Sequence, residues 1–185
     1  MPVKLHSPVI VAPSKDSIRK SFSLCAFSLT EQELFLEHAK VYSSYYNYFL
    51  FYFNTGARTG EIYSVRKCDI NFGFKTVFIN GTKTKSSART IPLMPALFEL
   101  QNEFQDKVCN DKLFVNSAKV IAREFYKILD KIGVDKNEYS PYSMRHSFAT
   151  RCYERGIDPK MVSKWMGHTN LAMTNHYTHI MNDHE

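Results

Sequence analysis

The segment from Tyr42 to Asn54 constrains the fold of this chain more than any other. It is dense in tyrosine and phenylalanine, which is typical of a helix that is mostly buried. Its most apolar part, Tyr45 to Phe53, is far too short to span a bilayer and is interrupted by Asn47. The following Gly56 predicts a left-handed C-cap that ends the helix. Burial of such a helix requires other elements to pack around it.

The composition allows a core of that kind. The chain has 185 residues, of which 44% are hydrophobic and 14% aromatic. These values predict one domain of ordinary size, or one domain with a short appendage, and exclude a disordered chain. Lys and Arg exceed Asp and Glu by 24 − 18 = 6. This excess is compatible with a polyanionic partner such as nucleic acid, although many soluble domains that bind nothing charged are equally basic.

The cysteine pattern and the N-terminal sequence indicate the compartment. Cys25, Cys68, Cys109 and Cys152 form no CxxC pair and have no metal-ligand spacing. Scattered single cysteines are typical of reduced thiols in a cytosolic protein. No N-terminal segment combines a basic start, an apolar run and a small-residue cleavage site. We therefore expect a soluble, cytoplasmic protein with no membrane partner.

The segments on either side of the aromatic run predict an arm and two helix starts. Residues 1–27 contain three prolines among small, basic and apolar residues, which indicates an arm or linker. Thr30, with Glu33 three residues later, predicts a helix start with a capping box. Thr59 predicts the cap of a further helix.

Three short segments then predict a small antiparallel sheet. Asp69 to Phe72, Lys75 to Ile79 and Ala88 to Pro92 have alternating or β-branched residues. Asn80-Gly81 is a turn signal. The tip of the predicted hairpin, Thr82 to Ser87, is polar and basic.

The segments after Pro95 predict helices again, from helical spacing of apolar residues and from Gly and Pro at the ends. The helices expected there are Val120 to Ile132, Ser143 to Glu154, one that Asp158 caps and that stops near Gly167, and a short one from about Leu171 to near Tyr177. The predicted fold class is mainly α with a small antiparallel β-sheet (α+β).

Four short segments carry polar residues whose chemistry becomes informative only when they are taken together. Taken singly, an arginine at a helix start or inside a helix is usually a solvated surface residue, and a histidine after a helix-ending glycine is often only a cap. The segments are Thr55-Gly56-Ala57-Arg58-Thr59-Gly60-Glu61-Ile62, Met144-Arg145-His146-Ser147-Phe148-Ala149-Thr150, Met166-Gly167-His168-Thr169-Asn170 and His176-Tyr177-Thr178-His179. Several motifs in one order at fitting separations form a stronger signal than any one of them.

This set of segments resembles the tyrosine recombinase family, which includes phage and transposon integrases. The resemblance runs from about Leu29 to Ile180 and implies a tyrosine recombinase catalytic domain over residues 28–185. It implies site-specific DNA recombination, the integration or excision of a mobile element, by metal-free transesterification through a 3′-phosphotyrosine intermediate. The N-terminal core-binding domain of the family is expected to be absent from this chain, so we expect weak DNA binding with a steep salt dependence.

The resemblance implies catalytic roles for Arg58, Arg145, His168 and Tyr177. The reaction adds negative charge to the non-bridging oxygens of a phosphodiester, which the planar guanidiniums of Arg58 and Arg145 can hold while staying charged. Tyr177 is expected to attack phosphorus. Because a free tyrosine has a pKa of about 10, the arginines and His168 are expected to favour its phenolate or to hydrogen-bond the attacking oxygen.

Further residues are implied around these four. In the family a hairpin lysine protonates the leaving 5′ oxygen; Lys83 is expected in this role because Lys83-Thr84 best matches the family hairpin, and Lys85 is the alternative. Glu61, about one helical turn after Arg58, either holds a guanidinium in place or is an ordinary charge at a helix N-terminus.

One position departs from the family pattern. Tyr142 lies three residues before Arg145, where the family usually has histidine or lysine. A phenol can donate a hydrogen bond to a phosphate oxygen, but it carries no positive charge and is a poor proton shuttle near neutral pH. This departure motivates the alternative function, a catalytically weak or inactive DNA-binding module with the same fold.

The resemblance also implies partners. We expect double-stranded DNA with attachment or core sites, a tetramer assembled on that DNA from a chain that is monomeric alone, and accessory DNA-bending proteins. No cofactor and no metal are expected, since the histidines and carboxylates lack ligand spacing and the arginines supply positive charge. The expected location is the cytoplasm, in association with nucleoid DNA.

Overall fold

The described part of the chain consists mainly of helices. The computed structural model describes residues 25–81, 88–105, 108 and 111–168. Its helices are α1 (Leu29–Tyr42), α2 (Tyr46–Thr55), α3 (Thr59–Ile62), α4 (Gln101–Gln105), α5 (Ala118–Ile132), α6 (Ser143–Glu154) and α7 (Pro159–Met166), with 3₁₀ turns at Lys67–Asp69 and Pro95–Leu100. Within these ranges no helix combines the length and the apolar character that crossing a membrane requires.

A small antiparallel sheet follows α3 in the chain. Its strands, in sheet order, are β1 (Ile70–Asn71), β2 (Thr76–Ile79) and β3 (Arg89–Pro92). Side chains alternate between the two faces of a strand, so Arg89 and Ile91 share the buried face of β3 while Thr90 between them is exposed. The predicted fold class, mainly α with a small antiparallel sheet, is confirmed.

α2 forms the centre of the core, as its aromatic content predicts. Its residues 48–53 are at most 3% exposed. Phe27, Phe35 and Phe53 contact one another edge to face, with ring centroids 5.4–5.8 Å apart, a geometry that aromatic pairs prefer. The core therefore includes Phe27, the last residue of the predicted arm. α2 ends at Gly56, whose φ of 56° is the predicted left-handed C-cap.

The capping box of α1 lies two residues before the predicted one. The hydroxyl of Ser28 accepts from the N–H of Glu31 at 3.2 Å, and the Glu31 carboxylate accepts from the N–H of Ser28 at 2.8 Å. The expected pair, Thr30 with Glu33, was wrong. Both pairs fit the Ser/Thr-x-x-Glu pattern, and the burial of Phe27 next to Ser28 decides which one starts the helix.

Thr59 is the first residue of α3 rather than its cap. Its hydroxyl shares a hydrogen bond of 3.0 Å with the hydroxyl of Tyr52. The Glu61 carboxylate instead accepts from the N–H of Arg58 at 2.7 Å. The start of this short helix is thus secured by two of the predicted site residues.

The later helices follow their sequence signals. α6 spans Ser143–Glu154, as predicted. Asp158 caps α7 by accepting from the N–H of Lys160 at 2.6 Å, and Gly167 ends α7 with a φ of 66°. Residues 1–24, the hairpin tip at 82–87 and the helix expected at 171–177 lie outside the described residues.

Candidate active site

Three arginine side chains converge on the C-terminal end of α7. Arg89, Arg145 and Arg58 donate hydrogen bonds to the carbonyl oxygens of residues 165, 166 and 167, in that order, at 2.5, 2.5 and 2.6 Å. The last carbonyls of a helix have no partner within it and carry the negative end of the helix dipole. The end of α7 therefore gathers arginines from three distant parts of the chain.

Arg145 lies at the centre of this cluster and is fully buried. Its Nη1 also donates to the carbonyl of Gly56, so one guanidinium joins the ends of α2 and α7. Its Nε is buried and has no hydrogen-bond partner among the described residues. Burial lowers the pKa of Arg145 from its ordinary value. Arg145 therefore does not lie at the surface, where an arginine inside a helix is usually found.

Arg58 and Glu61 form the more accessible side of the site. Nη1 of Arg58 donates to Oε1 of Glu61 at 2.8 Å. The Arg58 side chain is 34% exposed, whereas that of Glu61 is 1% exposed. Burial acts to raise the pKa of Glu61, but hydrogen bonds from Arg89 and Arg58 outweigh it and lower that pKa. Glu61 fits both descriptions considered for it, since its carboxylate accepts from the Arg58 guanidinium and also from the backbone N–H at the start of α3.

Arg89 is a site residue that the sequence analysis did not single out. Its guanidinium donates to both carboxylate oxygens of Glu61, at 2.8 and 3.1 Å, and its side chain is 5% exposed. The signal that could have identified it is strand alternation. Arg89 occupies an inward position of β3, two residues before the buried Ile91, and a buried charge requires a charged partner.

Two glycines allow these close approaches. A Cβ on Gly167 would lie 2.8 Å from Nη1 of Arg89 and 3.2 Å from Nη1 of Arg58. A Cβ on Gly56 would overlap the ring of Phe148 and would lie 2.9 Å from the sulfur of Met166. Both glycines also have positive φ, which favours this residue type.

His168 follows Gly167 and lies beside the three arginines. Its N–H donates to the carbonyl of Ser163 at 3.1 Å, and its buried Nδ1 has no partner in the described part of the chain. Burial, followed by the charges of Arg145, Arg58 and Arg89, lowers its pKa to about 4. The imidazole is therefore neutral near pH 7, where one ring nitrogen donates a hydrogen bond and the other accepts one.

Tyr142 lies at the start of α6, one turn before Arg145. It is 38% exposed, and the Arg145 guanidinium carbon is 5.9 Å from the centre of its ring. The ring also meets His146 edge to face, with centroids 4.9 Å apart. The residue that replaces the usual histidine or lysine thus lies next to the buried arginine and reaches solvent.

The site offers hydrogen-bond donors rather than metal ligands. Its described charged groups are three guanidiniums and the carboxylate of Glu61, and that carboxylate already accepts from Arg58 and Arg89. Within the described ranges no group of three or more His, Cys, Asp or Glu side chains could hold a metal ion. Several guanidiniums beside a neutral imidazole are chemically suited to an anion such as a phosphodiester.

The comparison with known protein families agrees with this chemistry. The family model described as "Phage integrase family" matches residues 28–184. The chain belongs to this family, that of the tyrosine recombinases.

Two curated tyrosine recombinases illustrate the similarity of this chain to its family. XerA of Pyrococcus furiosus is 34% identical over 145 residues, which cover 73% of this chain and 50% of that protein. A XerC-like recombinase of Caldanaerobacter subterraneus subsp. tengcongensis is 27% identical over 177 residues, covering 72% of this chain and 45% of that protein. The chain spans about half the length of the curated relatives that it matches.

Solved structures share the fold of this chain. The crystal structure of XerA recombinase superposes with a TM-score of 0.73 and 24% identity, over 94% of this chain and 64% of that one. The Tn1549 transposon integrase in complex with circular intermediate DNA superposes with a TM-score of 0.68 and 22% identity, over 83% of this chain and 62% of that one. The catalytic domain of bacteriophage HP1 integrase superposes with a TM-score of 0.68 and 19% identity, over 87% of this chain and 90% of that one. The fold is that of a tyrosine recombinase catalytic domain.

The structure brings together some of the predicted site residues. Arg58, Arg145, Glu61 and His168 meet at the end of α7. Lys83, Lys85 and Tyr177 lie outside the described residues. The catalytic roles assigned to all of them remain predictions.

Proposed function

We propose that this chain cleaves and rejoins double-stranded DNA by metal-free transesterification through a 3′-phosphotyrosine at Tyr177, in the site-specific integration or excision of a mobile element. The observation that carries the proposal is the convergence of Arg58 and Arg145 on adjacent carbonyls of one helix end, 2.6 and 2.5 Å away. Two guanidiniums placed side by side match the two non-bridging oxygens of one phosphodiester.

The proposed cleavage step conserves atoms and charge. The phenolic oxygen of Tyr177 forms a bond to phosphorus and loses its proton, while the bond from phosphorus to the 5′ oxygen breaks and that oxygen gains a proton. Rejoining is the reverse attack by a 5′ hydroxyl on the phosphotyrosine, so the phosphodiester energy is kept in the covalent intermediate. The arginines stabilise the charge that develops on the non-bridging oxygens.

His168 is proposed to assist proton transfer at the nucleophile. With a pKa of about 4 its ring is neutral before DNA binds, so it can accept a hydrogen bond from the Tyr177 phenol or donate one to a phosphate oxygen. The negative charge of a bound phosphate raises the pKa of an adjacent imidazole, which would make it a better base in the complex than in the free protein.

The proton for the 5′ oxygen is assigned to Lys83, with Lys85 as the alternative. Both lie in the sequence between β2 and β3, and Arg89, in the last strand pair before that connecting segment, belongs to the cluster. Tyr142 is proposed to donate a hydrogen bond to a phosphate oxygen, since its exposed phenol lies next to Arg145.

DNA is the proposed partner of the arginine cluster. Family membership and the solved complex of the Tn1549 integrase with circular intermediate DNA support it, as does the excess of basic residues. We further propose that four copies assemble on DNA, that accessory DNA-bending proteins take part, and that the protein acts in the cytoplasm on nucleoid DNA.

A nicked suicide substrate tests the function directly. The DNA on either side of the gene is first sequenced to find attachment-like repeats. Duplexes built from such repeats, with a nick just 3′ of the scissile phosphate, release a short 5′-hydroxyl fragment on cleavage and trap the covalent adduct. We expect an adduct that survives denaturing electrophoresis with the wild-type chain and none with Tyr177→Phe. A clean gel shift without any adduct would contradict the proposal and favour the DNA-binding module.

A further inference from the structure

Arg89 shares the only described carboxylate of the arginine cluster with Arg58. Oε1 of Glu61 accepts from Nη1 of Arg58 at 2.8 Å and from Nη1 of Arg89 at 3.1 Å. Oε2 accepts from the N–H of Arg58 at 2.7 Å and from Nη2 of Arg89 at 2.8 Å. Each carboxylate oxygen therefore divides its hydrogen bonding between the two arginines.

We propose that Arg89 is a positioning residue that keeps the charge and the orientation of Arg58 available to the scissile phosphate, by acting through Glu61. This inference rests on the function proposed above. Arg89 itself, at 5% exposure, is held by Glu61 and by the end of α7 and does not need to contact DNA.

Charge counting explains why a second arginine is useful. Glu61 with Arg58 alone forms a neutral pair, in which the guanidinium is already compensated. Glu61 with Arg58 and Arg89 carries a net charge of 2 − 1 = +1, and this charge is accessible on Arg58, which is 34% exposed against 5% for Arg89. A phosphate that approaches Arg58 therefore meets an uncompensated positive charge.

Geometry adds to the effect. The Arg58 side chain is fixed at Glu61 and at the carbonyl of Gly167. Arg89 is bound to the same two regions, since it donates to Glu61 and to the carbonyl of Trp165 in α7. Loss of Arg89 would leave Glu61 free to turn fully towards Arg58 and draw its guanidinium away from the phosphate.

The test compares the rate of adduct formation on the suicide substrate between variants of two arginines. Arg89→Met should slow adduct formation by about 10²-fold, which is the usual effect of misplacing a catalytic group. Arg89→Lys should slow it by about 10-fold, because lysine keeps the positive charge but cannot donate to the carboxylate in a bidentate manner. The Kd for the same DNA should change far less than the rate.

Arg151 provides a matched control. It is also a poorly exposed arginine that donates to a backbone carbonyl, that of Phe27 at 3.1 Å, and it pairs with Glu154 at 3.1 Å. Arg151→Met should leave the rate within about twofold of the wild type. Thermal unfolding confirms that each variant is folded, and Arg89→Lys carries the comparison if Arg89→Met does not fold.

Two further measurements separate this mechanism from a general structural effect. In a Glu61→Gln background, Arg89→Met should slow adduct formation less than about 10-fold relative to Glu61→Gln alone, because the competing carboxylate charge is gone. A substrate with a 5′-bridging sulfur needs no proton on its leaving group. It should not restore the rate of Arg89→Met, because Arg58 acts on the non-bridging oxygens.

The outcomes distinguish the inference from the function on which it rests. A wild-type chain that forms no adduct overturns the proposed function, and the inference with it. A wild-type chain that forms the adduct, with Arg89 variants as active as Arg151→Met, overturns the inference alone. Rescue of Arg89→Met by the sulfur substrate also overturns it, since Arg89 would then act on the hairpin lysine.

Discussion

Glu61 is the residue on which the charge balance of the site depends. It is buried, and it compensates part of the positive charge of three arginines that lie around the end of α7. Removing one partner of a buried ion pair leaves the other charge without compensation, which is far more costly than losing a pair at the surface. The Glu61 carboxylate therefore affects both the stability of the fold and the net charge of the site.

Glu61→Gln is expected to lower the free energy of unfolding by about 3 kcal/mol, because Arg89 stays buried without its counter-charge. Urea denaturation at neutral pH measures the change. Glu154→Gln, whose carboxylate is 39% exposed in its pair with Arg151, should cost less than about 1 kcal/mol. Equal losses in the two variants would contradict the buried ion-pair argument.

Two histidines are expected to make the fold sensitive to acid. Burial first, and then the charge of Arg145, lower the pKa of both His146 and His168 to about 4, against about 6.5 in an unfolded chain. The unfolded chain binds protons more readily, so stability that is complete above about pH 6.5 falls as the pH approaches about 4. The pKa of Glu61 is lowered in the folded protein, so the stability that its ionised carboxylate contributes is also lost as the pH falls, beginning at the acid end of this range.

Denaturation curves between about pH 7.5 and pH 4 measure this dependence. The double variant His146→Asn, His168→Asn should have a flatter profile between about pH 6.5 and pH 5, where carboxylates are still mostly ionised. A profile identical to that of the wild type in this window would rule out the histidines as its cause.

Among the secondary-structure elements, α2 and α7 have ends that do more than terminate helices. Arg145 joins the carbonyls of Gly56 and Met166, and Gly167 supplies the next carbonyl to Arg58. A helix end that stays unpaired within its own helix can bind a side chain from elsewhere. The two C-cap glycines thus place carbonyls where the arginines of the site are anchored.

Alanine at each C-cap separates the cost of positive φ from the cost of crowding. Gly133, at the end of α5, has a φ of 72°, and a Cβ added there would have no atom within 4 Å, so Gly133→Ala should cost only about 1 kcal/mol. Gly56→Ala and Gly167→Ala should cost about 1–3 kcal/mol more, because Phe148 and Arg89 must move.

The same variants connect stability with activity. Gly167→Ala should also slow adduct formation on the suicide substrate, since Arg89 and Arg58 are the side chains displaced, whereas Gly133→Ala should not. Urea denaturation and the adduct assay give the two readouts. Three glycines with equal stability losses would contradict the crowding argument.

Across the domain, an aromatic core holds the elements that carry the site. α2 packs against α1 and α6, and α7 packs against both α6 and β3. Arg58 follows α2, Arg145 lies in α6 and Arg89 in β3. Each arginine is therefore delivered by an element that the core fixes, which is the precondition for holding charged groups close together.

DNA binding by the chain is expected to depend steeply on salt, because its contacts are proposed to be mainly to phosphates. The affinity should fall by at least about 10³-fold between roughly 50 and 200 mM salt if about six or more phosphates are neutralised. Fluorescence anisotropy with a labelled duplex measures it. A Kd that stays constant over this range would exclude a mainly electrostatic interface.

Local signals in the sequence were sufficient for much of the fold. The bounds of α6, the Asp158 cap of α7 and the C-caps at Gly56 and Gly167 all depend on residues within one or two helical turns. The caps of α1 and α3 were exceptions. Ser28 and Thr30 fit the same pattern and the packing of Phe27 decided between them, and Thr59 is the first residue of α3 rather than its cap.

The arrangement of the arginines, in contrast, arises only when the chain is folded. The sequence determined which residue types were present, and family resemblance named Arg58 and Arg145. Neither the sequence pattern nor the resemblance identified Arg89, and neither indicated that Arg145 is fully buried between two helix ends. The physical reason is that a capping pattern is local along the chain, whereas the partner of a buried charge comes from whichever distant element the core brings next to it.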